Sequence, residues 1–225
     1  MTTSRFTTLA GPADAEVEVK RSRFLCDLVP VGAGDVEASE AAARRVVETA
    51  RTTHWDARHH CSAFVLGPRG EVRRSNDDGE PSGTAGAPML EALTASGLTD
   101  VVAVVTRWFG GTLLGAGGLV RAYGDAVRAA LEQAETVTYE RRLVVETVVG
   151  VADVGRVEHA LRASGRHVDD VDYVRGAASG RATLTLAVQP AELDTLAGEV
   201  AALTGAPVTP DEREERWVAL TAPAP

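Results

Sequence analysis

The segment Thr106-Arg107-Trp108-Phe109 runs into Gly110, Gly111, Gly115, Gly117 and Gly118, and then into Arg121 and Tyr123. Glycine permits positive φ and close backbone approach. A helix starting after such a run presents unpaired N–H groups that attract anions. Arg107 and Arg121 add bidentate donors for phosphate or carboxylate. Trp108 and Phe109 are neighbours at a strand end, so they face opposite ways. One is expected in the core, the other beside the glycines, placed to stack on a base or a partner side chain. Tight packing of loop against sheet would use the same glycines, and the two readings are compatible.

A second stretch, Arg73 to Gly86, carries Arg73 and Arg74, then Asp77, Asp78, Glu80, Ser82 and Thr84. Hard cations prefer oxygen ligands, so the Asp77, Asp78 and Glu80 group could form a Mg²⁺ or Ca²⁺ site, with Asp77 and Asp78 the candidate ligands. An acidic turn whose carboxylates accept backbone N–H bonds explains the same residues, as does an acidic surface for a basic partner. No second carboxylate cluster completes a metal site. Ser82, Thr84 and Thr106 carry hydroxyls, but nucleophilic chemistry needs an adjacent base and an orienting group. His59 or His60 would serve only if the fold brought them close. No catalytic residue, metal or cofactor is therefore assigned. The residues of both stretches are taken as contacts for an anion or a nucleic acid.

Other motifs fail. Gly110 and Gly115 have the spacing of a phosphate-binding loop, but Ala116 stands where its Lys belongs. Gly115 and Gly117 begin a dinucleotide pattern that Val120 ends. His54, His59, His60 and Cys61 lack the spacing of a structural zinc site.

The elements that would hold these residues are read from periodicity. Glu16–Lys20, Phe24–Val29, Cys61–Leu66 and Val101–Thr106 read as strands, the last buried by its β-branched content. Asp35–Arg51 reads as an amphipathic helix. Pro30–Gly34 and Gly67–Gly70 are breaks, and Ser75–Pro88 is a loop. Pro88 fits the first turn of a short helix with Met89, Leu90 and Leu93. From Leu119 to Leu131 the helical period resumes, Tyr123 lying on its apolar face. After about residue 138 the order becomes Arg142–Val149 strand, Asp153–Ala163 helix, Val168–Val174 strand, Gly176–Gly180 turn, Arg181–Val188 strand, Ala191–Leu203 helix and Arg216–Leu220 strand. That β-α-β-β-α-β order is ferredoxin-like. Residues 1–138 and 139–225 are expected as two domains, with Thr221–Pro225 a disordered tail.

The chain has 225 residues and is 44% hydrophobic, enough for a core. The net charge is -9 and Lys20 is the only lysine. An acidic chain does not attract polyanions through its overall field, so any such contact depends on a local cationic face. No signal segment and no membrane-length apolar run is visible. A cytoplasmic protein with reduced, buried Cys26 and Cys61 is expected.

Three blocks together resemble the YigZ/IMPACT family. They are Lys20-Arg21-Ser22-Arg23-Phe24, the run Ser75-Asn76-Asp77-Asp78-Gly79-Glu80-Pro81-Ser82-Gly83-Thr84-Ala85-Gly86, and Val104 to Gly111 continued by Leu114 to Gly124. His60-Cys61-Ser62-Ala63-Phe64 fits a weaker block. Trp108 stands where Tyr is common, Ala116 where Gly is common, and Arg21 where Lys is usual. The resemblance implies an α+β protein: an N-terminal ribosomal protein S5 domain 2-like domain and a C-terminal ferredoxin-like domain like the last domain of translocating elongation factors. Eukaryotic relatives are implicated in translational control through an additional N-terminal domain that binds a kinase activator; with no room for that domain expected before Lys20, that partner is not expected here.

The expected function is a non-enzymatic, translation-related factor that binds RNA, the ribosome or a translation protein through the Gly-rich, Arg-framed face. The alternative is an enzyme acting on a phosphorylated or nucleotide-like ligand with Mg²⁺. Neither a membrane nor sequence-specific DNA is expected as a partner.

Overall fold

The computed structural model describes residues 4–32, 36–173 and 180–220. The expected tail 221–225 and most of the expected turn Gly176–Gly180 lie outside these, as do the last residues of the break at Pro30–Gly34. The chain divides into one unit through Tyr139 and a second, Glu140–Val218.

The first unit is built on a five-stranded antiparallel sheet in the order β2-β3-β6-β4-β5. Its strands are β2 (Ala13–Val19), β3 (Ser22–Pro30), β4 (His59–Leu66), β5 (Val72–Asn76) and β6 (Val101–Trp108). β6 is central, and its uninterrupted apolar run is explained by burial on both faces. Val101, Ala103 and Val105 pack into one core with α2 (Gly86–Ser96) and α3 (Ala116–Glu132). Val102 and Val104 pack into another with Ala43 and Ala50 of α1 (Val36–Thr53). A side-chain period of two delivers alternate residues to opposite faces. Full burial of each Val or Leu contributes about 1.5–3 kcal/mol.

Two strands have no clear signal in the sequence. β1 (Arg5–Leu9) hydrogen-bonds β7 (Thr136–Gly150), whose first residues remain in this unit. There Phe6 stacks on Tyr139 with centroids 5.3 Å apart. β5 takes in Arg73 to Asn76, so the loop expected from Ser75 begins only at Asp77. Its sequence is polar because it is an edge strand, and pairing with β4 rather than propensity makes it a strand. α3 starts at Ala116, before the apolar period resumes at Leu119.

In the second unit the chain order is β7, α4 (Val151–Ala163), β8 (Val168–Asp172), β9 (Arg181–Val188), a 3₁₀ turn (Pro190–Glu192), α5 (Leu193–Thr204) and β10 (Asp211–Leu220). The strands lie in the order β10-β7-β9-β8. Alternate residues Ala182, Leu184, Leu186 and Val188 of β9 share one core with Val154, Val157 and Leu161 of α4 and with Leu196 and Val200 of α5. Arg166 grips Glu199 of α5 with two bonds, Nε–Oε2 at 2.8 Å and Nη2–Oε1 at 3.2 Å. The chain is thus α+β, each unit a sheet with helices. Cys26 and Cys61 are free and buried. Among the described residues no helix is long and apolar enough to cross a membrane.

Candidate functional site

The ends of β3, β6 and β4 meet at one rim of the first sheet. Register places Arg107 opposite Phe24 on one side and His59 on the other, with Arg23 opposite Trp108. Two loops close on this rim: residues 77–85 before α2, and residues 109–115 before α3. Between them is a cleft of about 380 Å³ lined by Arg58, His59, Glu80, Pro81, Arg107, Phe109, Leu113, Leu114, Gly115, Ala116 and Leu119. The two stretches singled out in the sequence therefore share one cavity, through Glu80, Arg107, Gly115 and Ala116.

The acidic loop is held from within. The Asp77 carboxylate accepts the N–H groups of Gly83 at 2.8 Å, Ala85 at 3.0 Å and Gly86 at 2.8 Å. It thereby satisfies donors at the start of α2, which carries no side-chain cap of its own. Partial burial works against the charge, but these three donors outweigh it and hold the Asp77 carboxyl below its usual value. Asp78 pairs with Arg51 Nη2 at 2.8 Å and accepts the His60 N–H at 2.7 Å. Of the explanations open for the acidic run, the turn that bonds backbone N–H groups is the one realised at Asp77 and in part at Asp78. Both carboxylates are committed to protein donors. Among the described residues no three His, Cys, Asp or Glu side chains form a metal-binding group.

Glu80 points inward. Its Oε1 accepts Arg107 Nη1 at 2.5 Å and the Tyr123 hydroxyl at 2.7 Å. Side-chain exposure is only 4% for Glu80 and 7% for Arg107. Tyr123 lies 3.4 Å from Cys61 Sγ, while that thiol donates to the Asp77 carbonyl at 3.0 Å. Burial pushes the Cys61 thiol up to about 12, the Tyr123 bond opposing and the nearby carboxylates assisting. His59 faces the same network: Nδ1 donates to the Asp78 carbonyl at 2.9 Å, leaving Nε2 3.9 Å from Glu80. His60 turns away, its Nε2 3.1 Å from the His54 carbonyl, as alternation requires. Arg107 Nε is buried without an acceptor among the described residues. Such a group costs about 1–3 kcal/mol.

Above the cleft stands a cationic tip. Lys20 and Arg21 form the two-residue connection of the β2–β3 hairpin, between the paired Val19 and Ser22. Their φ values are 48° and 65°. Gly110 is pressed against this turn, where a Cβ would collide with the Arg21 carbonyl group. The Gly110 N–H donates to Ser22 Oγ at 3.2 Å. Arg21 reaches Thr112 Oγ1 at 3.4 Å. The Arg23 guanidinium lies 3.9 Å from the Trp108 ring centroid. Trp108 is fixed further by Nε1 donating to Asp56 at 2.9 Å and by the His54 ring edge-on to it. Phe109, Leu113 and Trp55 are exposed. Trp108, half-buried, and Phe109, exposed, follow the opposed facing expected of them, with neither in the core.

The remaining expected residues are dispersed. Arg73 pairs across from Val65 on β4 whereas Arg107 pairs across from His59. That offset along the strand is about 20 Å. Arg73 donates to the Gly70 carbonyl and Arg74 lies 3.6 Å from Glu40, both away from the cleft. Arg121 is exposed on α3, Ser82 is exposed, and Thr84 donates to the Pro81 carbonyl at 2.7 Å. Thr106 is fully buried. Of the glycines, Gly111 and Gly115 adopt left-handed φ of 84° and 73°. Gly117 has open space around the position of a Cβ, and Gly118 would meet only Leu114. His59 and Phe109, both raised by the sequence, line the cleft, and Arg58, Leu113 and Leu114 complete it although periodicity gives no reason to select them.

Comparison with known proteins agrees with these blocks. The family model for the Impact N-terminal domain matches residues 20–131. The IMPACT family member YvyE of Bacillus subtilis (strain 168) is 39% identical over 166 residues, 74% of this chain and 74% of that protein. The IMPACT family member YigZ of Escherichia coli (strain K12) is 47% identical over 129 residues, 56% of this chain and 60% of that protein. A crystal structure of a hypothetical protein superposes with a TM-score of 0.60 at 33% identity, over 95% of this chain and 99% of the other.

Proposed function

The chain belongs to the IMPACT family, and on that premise we propose that it is a non-enzymatic, translation-related factor that binds RNA, on the ribosome or free, through the tip of its first unit. The observation that carries this reading is the Lys20–Arg21 turn. A two-residue hairpin turn with both φ positive ordinarily takes Asn-Gly. Here two long cations occupy it, with left-handed φ at both. Strain of about 1 kcal/mol or more per residue persists where the charge has a use. Lys20, Arg21 and Arg23 are exposed; Arg23, 3.5 Å from Glu16, lies over Trp108, which the exposed Phe109 follows in the chain. Cations beside stacking surfaces fit a nucleic-acid strand, and they supply a local attraction that a net charge of -9 does not. Arg107 has another role in this reading: it serves Glu80, so its loss reports on stability.

The domain identities fit the same role. The first sheet with helices on both faces supports the ribosomal protein S5 domain 2-like assignment. The order β10-β7-β9-β8 with β-α-β-β-α-β connectivity supports the ferredoxin-like one. A cytoplasmic location accords with free Cys26 and Cys61.

The test is fluorescence anisotropy with a structured ribosomal RNA fragment across a salt series. Binding is expected at low salt. Arg21→Glu and Arg23→Glu should each weaken it and lower the salt slope by about one for every phosphate no longer neutralised. Arg73→Glu, on the far part of the sheet, should leave it unchanged. Absence of any RNA binding at low salt would overturn the proposal.

A further inference from the structure

Two helices cover one face of the first sheet, and one covers the other. α3 packs over β2 and β3, and α2 over β4 and β5. On the opposite face α1 packs over β4 and β6, and the described residues of this unit supply no second helix there. Five strands span about 20 Å and a helix about 10 Å, so one helix covers half a face. The uncovered half belongs to β2 and β3. Ala13, Ala15, Val17 and Val19 turn to the α3 core, so Asp14, Glu16 and Glu18 turn the other way, and all three are exposed. Phe24, Cys26 and Leu28 likewise leave Arg23, Leu25, Asp27 and Val29 on the open side. Arg23 lies 3.5 Å from Glu16. Asp14 and Asp27 stand directly opposite each other on the paired strands. Among the described residues neither makes a hydrogen bond or an ion pair. Burial raises the Asp27 carboxyl, His54 opposing and Asp14 adding to the effect. Like charges directly opposite are destabilising, and a cation set between them removes that penalty.

A cleft of about 470 Å³ lies between α1 and this open half. β3 contributes Asp27, Val29 and Pro30 to it, and α1 contributes Ala42, Val46 and Ala50, each one turn from the next along one side of the helix. Arg45 and His54 line it as well. The groove is thus mainly apolar, and Asp27 with Asp14 opposite it sets a negative border on the strand side. Along β2, Asp14, Glu16 and Glu18 repeat about every 7 Å, close to the 5.4 Å of a helical turn. Cations one turn apart on a docked helix therefore meet them in succession. A nucleic-acid strand is repelled by such a border, whereas a helix with an apolar stripe and flanking cations fits both parts. We propose that this half of the sheet docks a basic amphipathic helix of a partner protein, its apolar stripe in the cleft beside α1 and its Lys or Arg side chains over Asp14, Asp27, Glu16 and Glu18. The docked helix completes the layer that α1 begins. It does not rest on the RNA reading, which uses the cations of the tip.

The probes are two labelled peptides of about 18 residues, long enough to form a helix on contact. Both have the same Lys and Leu composition. One is ordered to give a Leu stripe when helical, and the other is shuffled so that no stripe forms. Each is titrated against the full chain at about 0.15 M salt, where diffuse attraction is screened. The striped peptide should bind about tenfold tighter than the shuffled one, equivalent to about 1.4 kcal/mol. Asp14→Asn combined with Asp27→Asn should remove that gain. Glu91→Gln combined with Glu132→Gln makes the same charge change at exposed positions of α2 and α3, over the other face, and should leave it unchanged. Asp14→Asn alone should raise the midpoint of thermal unfolding, because it relieves the opposed charges, so weaker binding is not loss of the fold. Equal binding of the two peptides, or none by either, overturns the proposal. So does a loss that the α2 and α3 substitutions reproduce. A lowered midpoint for Asp14→Asn makes that carboxylate structural and overturns it too. A chain that is dimeric, with β2 and β3 protected from hydrogen exchange only in the dimer, assigns the face to a second copy instead.

Discussion

Replacing Glu80 by Gln keeps the side chain's shape and removes its charge. The group accepts both Arg107 and Tyr123 on one oxygen, and it is 4% exposed. Breaking a buried ion pair on one side costs about 3–5 kcal/mol, because the remaining charge is left uncompensated. Gln retains a neutral acceptor, so the lower figure, about 3 kcal/mol, is expected. The consequence is local to the first unit. Hydrogen exchange followed by mass spectrometry reads it there, because peptides from β6 and α3 report the opening of that unit separately. A loss of about 3 kcal/mol corresponds to exchange roughly a hundredfold faster. Glu80→Leu combined with Arg107→Met should recover most of the loss, since an apolar pair of similar volume leaves no charge stranded. If Glu80→Gln changes exchange by less than about threefold, Glu80 and Arg107 are not an energetically coupled pair. If the double substitution is worse than the single one, packing rather than charge governs the site.

Two further outcomes follow from the loops. The Asp77 carboxyl is held below its ordinary value of 3.8, so its contribution is fully present above that value and is lost as pH falls through the lower, folded value. Asp77→Asn should therefore cost about 1–2 kcal/mol at pH 7, allowing for partial exposure. The difference from wild type should shrink when thermal unfolding is repeated near pH 3; a pH-independent difference would contradict the carboxylate's role. Gly110→Ala would set a methyl against the Arg21 backbone and should cost about 1–3 kcal/mol in urea unfolding. RNA affinity should fall with it, because the tip must move; unchanged stability would show that the turn yields freely.

The sequence discloses what periodicity encodes. β6 is legible because both of its faces are buried, and the apolar stripe of α3 because its residues meet one core. The second unit is legible for the same reason. β5 is not, since an edge strand with side chains in water carries no apolar pattern. The Lys20–Arg21 turn contradicts the usual turn chemistry, so no local signal marks it. Of the site, the glycine run and the acidic loop are visible as compositions, but their partners are not. Arg107 reads as a free donor until β6 brings it beside a loop carrying Glu80. Asp77 reads as a metal ligand or a turn, and only the position of α2 decides which.

The hairpin tip sets durability and use against each other. Asn-Gly in place of Lys20-Arg21 would relax both left-handed residues without disturbing the strands on either side. Selection for heat resistance alone would be drawn to that exchange and would discard two charges with it. A hardened version of this protein would thus be suspect at the one place where hardening is easiest.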